Sequence, residues 1–141
     1  MESNAMRLQF NSRPENESFA RVVIAAFLVQ LNPTLEIVTD VKTAVSEAVT
    51  NAVVHAYPRG AEGTITLAAE LRFSDRTARV EVIDEGVGIP DVAKAMEPLF
   101  TTQPELERSG MGFAVMQGFM DSLEVISEEG RGTRVIMTKK V

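Results

Sequence analysis

A chain of 141 residues with no cysteine, 45% hydrophobic residues and a formal charge of −6 has the size of one domain and enough apolar material for one core. Disulfides and thiolate metal sites are excluded, and the acidic balance argues against direct nucleic-acid binding, which needs clustered Lys and Arg. No secretion signal is read and no apolar run approaches the roughly 18 residues of a membrane span, so a soluble cytoplasmic protein with no membrane partner is expected.

Residues 1–5, with Ser-Asn-Ala ahead of Met6, are expected to be disordered or tag-derived. Met6, Leu8 and Phe10 then alternate with Arg7 and Gln9, the period of a short half-buried strand. Ser12-Arg-Pro-Glu15 has the form of a capping box and opens a helix whose apolar positions are Phe19, Val22, Val23, Ala26 and Leu31. Asn32-Pro33 ends that helix and caps a second, running to about His55, in which Val41, Ala44, Val45, Ala48, Val49, Ala52 and Val53 form one core stripe. Proline and glycine after Tyr57 break it. Ile65 to Phe73 and Ala78 to Asp84 alternate as the strands of a hairpin turning at Ser74 to Thr77. The segment 91–108, interrupted by Pro98 and Pro104, reads as a lid. A third helix from Gly112 to about Met120 turns Phe113, Met116, Phe119 and Met120 inward, and strands at 123–127 and 133–138 close the chain. The order predicts a single α/β domain: a mainly antiparallel sheet covered by helices on one face.

Glu47 and Asn51 stand four apart on the second helix, so a carboxylate and an amide share one face; such a pair serves either as solvated polar residues or as a base beside a Mg2+ ligand. Asp84 ends an apolar strand and enters Asp-Glu-Gly-Val-Gly-Ile, where it is either plain turn chemistry or an acceptor for an exocyclic amine such as that of adenine. Gly86 and Gly88 let backbone approach a base closely. Gly110 and Gly112 precede the third helix, whose first N–H groups suit phosphates. A P-loop, an early G-x-G-x-x-G and the H-R-D and D-F-G signatures are all missing, and a single histidine, His55, leaves little room for a triad or a multi-histidine metal site.

Together, Ser-Glu-Ala-Val-Thr-Asn-Ala at 46–52, the turn at 84–89 and Arg-Ser-Gly-Met-Gly-Phe at 108–113 resemble, in order and spacing, the three nucleotide boxes of GHKL ATP-binding proteins. Asn16 to Arg21 and the lid sequence Pro98-Leu-Phe-Thr-Thr with Pro104 to Arg108 resemble more narrowly the anti-sigma serine kinases of endospore-forming bacteria. That resemblance implies a two-layer Bergerat sandwich that binds ATP and Mg2+, captures a sporulation sigma factor as a homodimer and phosphorylates an anti-anti-sigma protein on serine. It implies Glu47 as catalytic base, Asn51 as Mg2+ ligand, Asp84 as adenine contact, Gly86, Gly88, Gly110 and Gly112 as nucleotide-cradling glycines, and Thr133 as a neighbour of the base. It also implies Arg108 as a lid arginine near the phosphates and Arg21 as the sigma contact. Gln103 replaces a lysine usual in the lid, and His55 stands where ATPases of the superfamily carry an aspartate. A histidine-kinase catalytic domain and a non-catalytic, ATP-gated sigma-binding module are the competing readings.

Overall fold

The computed structural model describes residues 2–58, 61–97 and 112–141. Five strands, β1 (Ser3–Asn11), β2 (Thr64–Arg72), β3 (Thr77–Asp84), β4 (Ser122–Glu128) and β5 (Gly132–Lys140), form one sheet in the order β1-β2-β3-β5-β4. Every pairing is antiparallel, so the parallel component allowed for by a mixed sheet does not occur among the described strands. Residues 3–5 belong to β1 and pair with 70–72, extending the strand beyond the period visible from Met6 onward.

One face of the sheet carries the core. Met6, Leu8 and Phe10 of β1, Ile65, Leu67, Ala69 and Leu71 of β2, and Ala78, Val80 and Val82 of β3 share the parity of side chains that points at the helices. Helices α1 (Glu15–Leu28), α2 (Leu35–Asn51) and α4 (Gly112–Phe119) complete the second layer, with α2 in the middle, packed against both others. The stripe predicted for α2 holds: Val41, Ala44, Val45, Ala48 and Val49 are all buried. A four-residue helix, α3 (Val92–Ala95), starts the segment 91–108 read as a lid, whose residues 98–108 lie outside the described ones.

Four local expectations are corrected. In α1 the buried residues are Ala20, Ile24 and Leu28, whereas Phe19 and Val22 are 48% and 65% exposed, so the apolar positions chosen from the sequence lie largely on the solvent face. Two apolar stripes run along this helix, and burial follows the one in register with α2. Helix α1, flanked at its start by Pro14 with no side-chain cap, is not capped by Ser12. The Ser12 backbone N–H donates to Gly63 O and its hydroxyl accepts from Gly63 N, each at 2.9 Å, clasping the end of β1 to the approach to β2. Nor does Asn32 cap α2. It adopts a left-handed conformation (φ 49°) after the 3-10 turn Val29–Leu31, and Thr34 is the cap, its hydroxyl accepting from Ile37 N at 3.2 Å. Phe119, expected inward, is 38% exposed, while Phe113, Met116 and Met120 are buried.

The burial of α1 makes a paired prediction. Ile24→Ala, in the fully enclosed stripe, lowers unfolding free energy by about 2–4 kcal/mol, whereas Phe19→Ser changes it by less than about 0.5 kcal/mol; urea denaturation of the two proteins checks both.

Candidate functional site

The alternation that builds the core also places a charge in it. Ala78, Val80, Val82 and Asp84 are successive inward positions of β3, so the strand's last core-facing side chain is a carboxylate, 8% exposed. Beyond it opens a cavity of about 680 Å³ between sheet and helices. Val82, Asp84, Thr133 and Val135 line it from the strands; Asn51, Ala52, His55 and Ala56 line it from the end of α2. Val87, Gly88 and Ile89 of the loop after β3, and Gly112 and Phe113 at the start of α4, close further sides.

Asp84 Oδ1 accepts two backbone hydrogen bonds, from Gly86 N at 3.0 Å and Thr133 N at 3.2 Å. Among the described residues no donor bonds Oδ2, which leaves that oxygen for a ligand. Burial holds the carboxyl above the usual carboxylate range, opposed by the pull of the Gly86 and Thr133 N–H groups. Thr133 is tied in turn: its hydroxyl lies 2.8 Å from Ser127 Oγ, which also accepts from Ile89 N at 2.7 Å and donates to Gly132 O at 3.0 Å. Ser127 thus fastens the loop after β3 to the β4–β5 turn, assisted by Gly130 N donating to Val87 O at 2.7 Å.

On the opposite wall, α2 ends in a π-helical turn, Ala52–Ala56, a departure often found beside functional sites. The turn presents Ala52, His55 and Ala56 to the cavity, and Ala56 O accepts from Val87 N at 3.0 Å. Gly86 leaves room for the helix end: a Cβ on it would lie 2.2 Å from Ala56 O. Gly88 does border the cavity, with φ +77° and no room for a Cβ against Glu128 O.

Asn51 lines the cavity, with the start of α4 packed on it so closely that a Cβ on Gly112 would stand 3.0 Å from its amide group. Glu47, one turn earlier on α2, is half-buried and is not part of the lining. Arg21 is remote from the cavity, on α1, with Nε 3.2 Å from Glu17 Oε1 and Nη2 3.3 Å from Ser18 Oγ. Arg108, Gly110 and Gln103 lie outside the described residues. The site therefore unites Asn51, Asp84, Gly88, Gly112 and Thr133. It adds His55, the position near which the second helix is expected to end, and Ser127, which carries no sequence signal beyond its place in a strand. Gly132, left-handed at φ +100° with a would-be Cβ 2.2 Å from Asp84 O, was signalled by the Gly-Thr pair but not recognised.

Chemically, the apolar walls suit a flat ring, the free carboxylate oxygen suits an amine on its edge, and the Asn51 amide beside a helix start suits anionic oxygens or an ion that they carry. This arrangement agrees with a match of residues 10–139 to the family model of the histidine kinase-like ATPase domain, and the chain belongs to that family. Its full-length relatives narrow the membership to the anti-sigma F factors. The chain is 55% identical to the anti-sigma F factor of Clostridium acetobutylicum over 99% of its own length and 96% of the relative's. It is 58% identical to that of Caldanaerobacter subterraneus subsp. tengcongensis, over 99% and 95% respectively. The fold is shared with a crystal structure of the RsbU and RsbW domains of a Mycobacterium tuberculosis protein, at a TM-score of 0.69 and 19% identity, covering 97% of this chain and 32% of that one.

Because the folded-state pKa of Asp84 is raised, the protonated form is the better accommodated one, and the stability it contributes below the unfolded-state pKa is lost as pH rises through the folded value. Asp84→Asn keeps an acceptor for Gly86 N and Thr133 N without the buried charge. The variant is expected to be more stable than wild type at pH 7, with the advantage shrinking toward about pH 4; urea unfolding at the two pH values measures it.

Proposed function

We propose that the cavity binds ATP with Mg2+, and that the chain acts in the cytoplasm as an anti-sigma factor and serine kinase. In this reading it forms a homodimer, sequesters a sporulation sigma factor and phosphorylates an anti-anti-sigma protein. The observation that carries the nucleotide assignment is the buried Asp84 carboxylate, with one oxygen committed to backbone N–H groups and the other meeting no donor among the described residues, in a cavity with apolar walls. Adenine, a flat ring bearing an exocyclic amine, is the complement of that surface. The sigma-factor part is supported by the names of the relatives and by Arg21, which lies on α1, the helix that also carries the exposed apolar residues Phe19 and Val22.

The donor chemistry fits Mg2+. That ion takes few protein ligands and completes its shell with water and phosphate oxygens, and Asn51 offers a single amide oxygen beside the start of α4. Asn51 would hold the ion, which supplies charge neutralisation on the phosphates. The N–H groups at the start of α4 add donors for the same oxygens, and the resemblance adds Arg108 and Gly110. Glu47 would accept the proton of the partner's serine as the serine oxygen bonds the γ-phosphorus and the bond to the β-phosphate oxygen breaks, leaving ADP. Its half-buried place one turn before Asn51 supports that role.

One observation favours the second reading, a nucleotide-gated sigma-binding module without catalysis: Glu47 stands outside the cavity lining. Incubation with Mg-ATP and a candidate anti-anti-sigma protein, with mapping of the phosphorylated residue, separates the two. A kinase yields a partner phosphoserine, and Glu47→Ala binds ATP normally while transfer slows by roughly 100-fold or more; transfer at the wild-type rate in that variant refutes the base. For Asp84→Asn, whose amide would turn a donor toward the amine, ATP affinity falls by roughly 10- to 100-fold, as calorimetric titration would show; unchanged affinity rejects the adenine assignment.

A further inference from the structure

The ladder between β2 and β3 stops one rung early. Ile65 pairs with Asp84, so in the same register Thr64 would face Glu85. Between those two residues stands a side chain from elsewhere in the fold. Tyr57 Oη donates to Thr64 O at 2.7 Å and accepts from Glu85 N at 2.8 Å, occupying the place of the next main-chain hydrogen bond. Tyr57 follows the π turn of α2, and its ring is held against Gly63 so tightly that a Cβ there would lie 2.2 Å from Cε1. The residue itself is not part of the cavity lining, whereas its neighbours Ala56 and Pro58 are.

We infer that Tyr57 is the positioning residue for base recognition: its hydroxyl replaces a rung of the sheet, turns the chain out of the ladder directly after Asp84, and so sets the direction in which that carboxylate meets its ligand. The inference rests on the nucleotide reading of the cavity. Three features act together. A direct rung would carry Glu85 on along β2, drawing Val87 from the bond it makes to Ala56 O and shifting Gly86 N, one of the two donors that fix Asp84 Oδ1. An interposed hydroxyl widens the gap by its own length while satisfying both main-chain groups, where a bare opening would leave them unpaired. Burial, reinforced by the negative charges of Asp84 and Glu85 and opposed by the Glu85 N–H, raises the pKa of the phenol, so its proton remains for Thr64 O through the neutral range.

The test uses two nucleotides that differ at the atom Asp84 would read: ATP, and inosine triphosphate, which bears an oxygen in place of the exocyclic amine. Affinities are measured by titration of the full chain for wild type, Tyr57→Phe and Gly63→Ala, with thermal unfolding as the check that each is folded. Tyr57→Phe deletes the hydroxyl and keeps the ring; Gly63→Ala keeps the hydroxyl and displaces the ring. In both, ATP binding is expected to weaken by roughly three- to tenfold, the worth of a lost hydrogen bond, while inosine triphosphate binding is unchanged, so the preference for ATP collapses. Hydrogen exchange of the Glu85 amide in the free Tyr57→Phe protein is expected to accelerate. A preserved preference for ATP in folded variants overturns the inference, as does an equal loss for both nucleotides, which marks a merely structural role. If Tyr57→Phe does not fold, Gly63→Ala decides. A wild-type protein that binds ATP without preference over inosine triphosphate, or binds neither, overturns the adenine reading itself, and the inference with it.

Discussion

A carboxylate held at the last inward position of a core strand is the constraint around which the rest of this structure is arranged. An unsupported charge there would cost far more than a small domain can spare. Asp84 is tolerated because two main-chain N–H groups converge on one of its oxygens. Each donor has a setting of its own. Gly86 lies against the carbonyl of Ala56, the last residue of the π turn that ends α2, and Thr133 sits opposite Asp84 across the β3–β5 ladder, next to the left-handed Gly132. The nucleotide-sized cavity is what remains between supports whose first task is to hold that charge.

The architecture was readable because it rests on periodicity. Strict alternation in β2 and β3 and the three-and-four spacing in α2 each admit one buried face, and those faces are the observed ones. Helix α1 was misread because its sequence offers two apolar stripes, Ala20-Ile24-Leu28 and Phe19-Val22-Ala26-Val29, and only the partner helix decides between them. The caps failed for a similar reason. Ser12 and Asn32 have the right chemistry for helix starts, but Gly63 competes for the first, and a left-handed turn takes the second. In the site, the residues with recognisable chemistry, Asn51 on a helix and Asp84, Gly88 and Gly112 at glycine-rich turns, were legible. Tyr57 and Ser127 were not, since a hydroxyl that bridges main chain from distant segments leaves no local pattern. The packing of Gly86 against Ala56 left no sign in the sequence, because the atom that needs its missing side chain belongs to a helix thirty residues earlier.

The lining of the cavity has an electrostatic cost built in. Asp84, Asp91, Glu97 and Glu129 border it, against Lys94 among the described lysines and arginines. Among the described residues side-chain charge therefore gives a polyanion little, and the apolar contacts of Val82, Val87, Ile89, Phe113 and Val135 with a ring, the N–H groups at the start of α4 and a cation carried by the ligand contribute the attraction. A ligand spanning from Asp84 to Asn51 also touches both layers at once, strand end and helix end, and by mass action it stabilises their docking.

The sheet order has a consequence for how the chain is made. Strand β1 is synthesised first, yet its neighbour β2 follows only after the whole α1–α2 hairpin, so that Asn11 meets Thr64 and Ser3 meets Arg72. At 5–20 residues per second on a ribosome, the interval is roughly 3–10 s. Throughout it the first strand waits with unpaired main-chain groups on both sides, while the two helices can form from local contacts alone. The outward residues Arg7 and Gln9 keep one face of the waiting strand polar, a defence against pairing with another nascent copy. The ladder between β1 and β2 therefore closes only across the whole length of the helical hairpin.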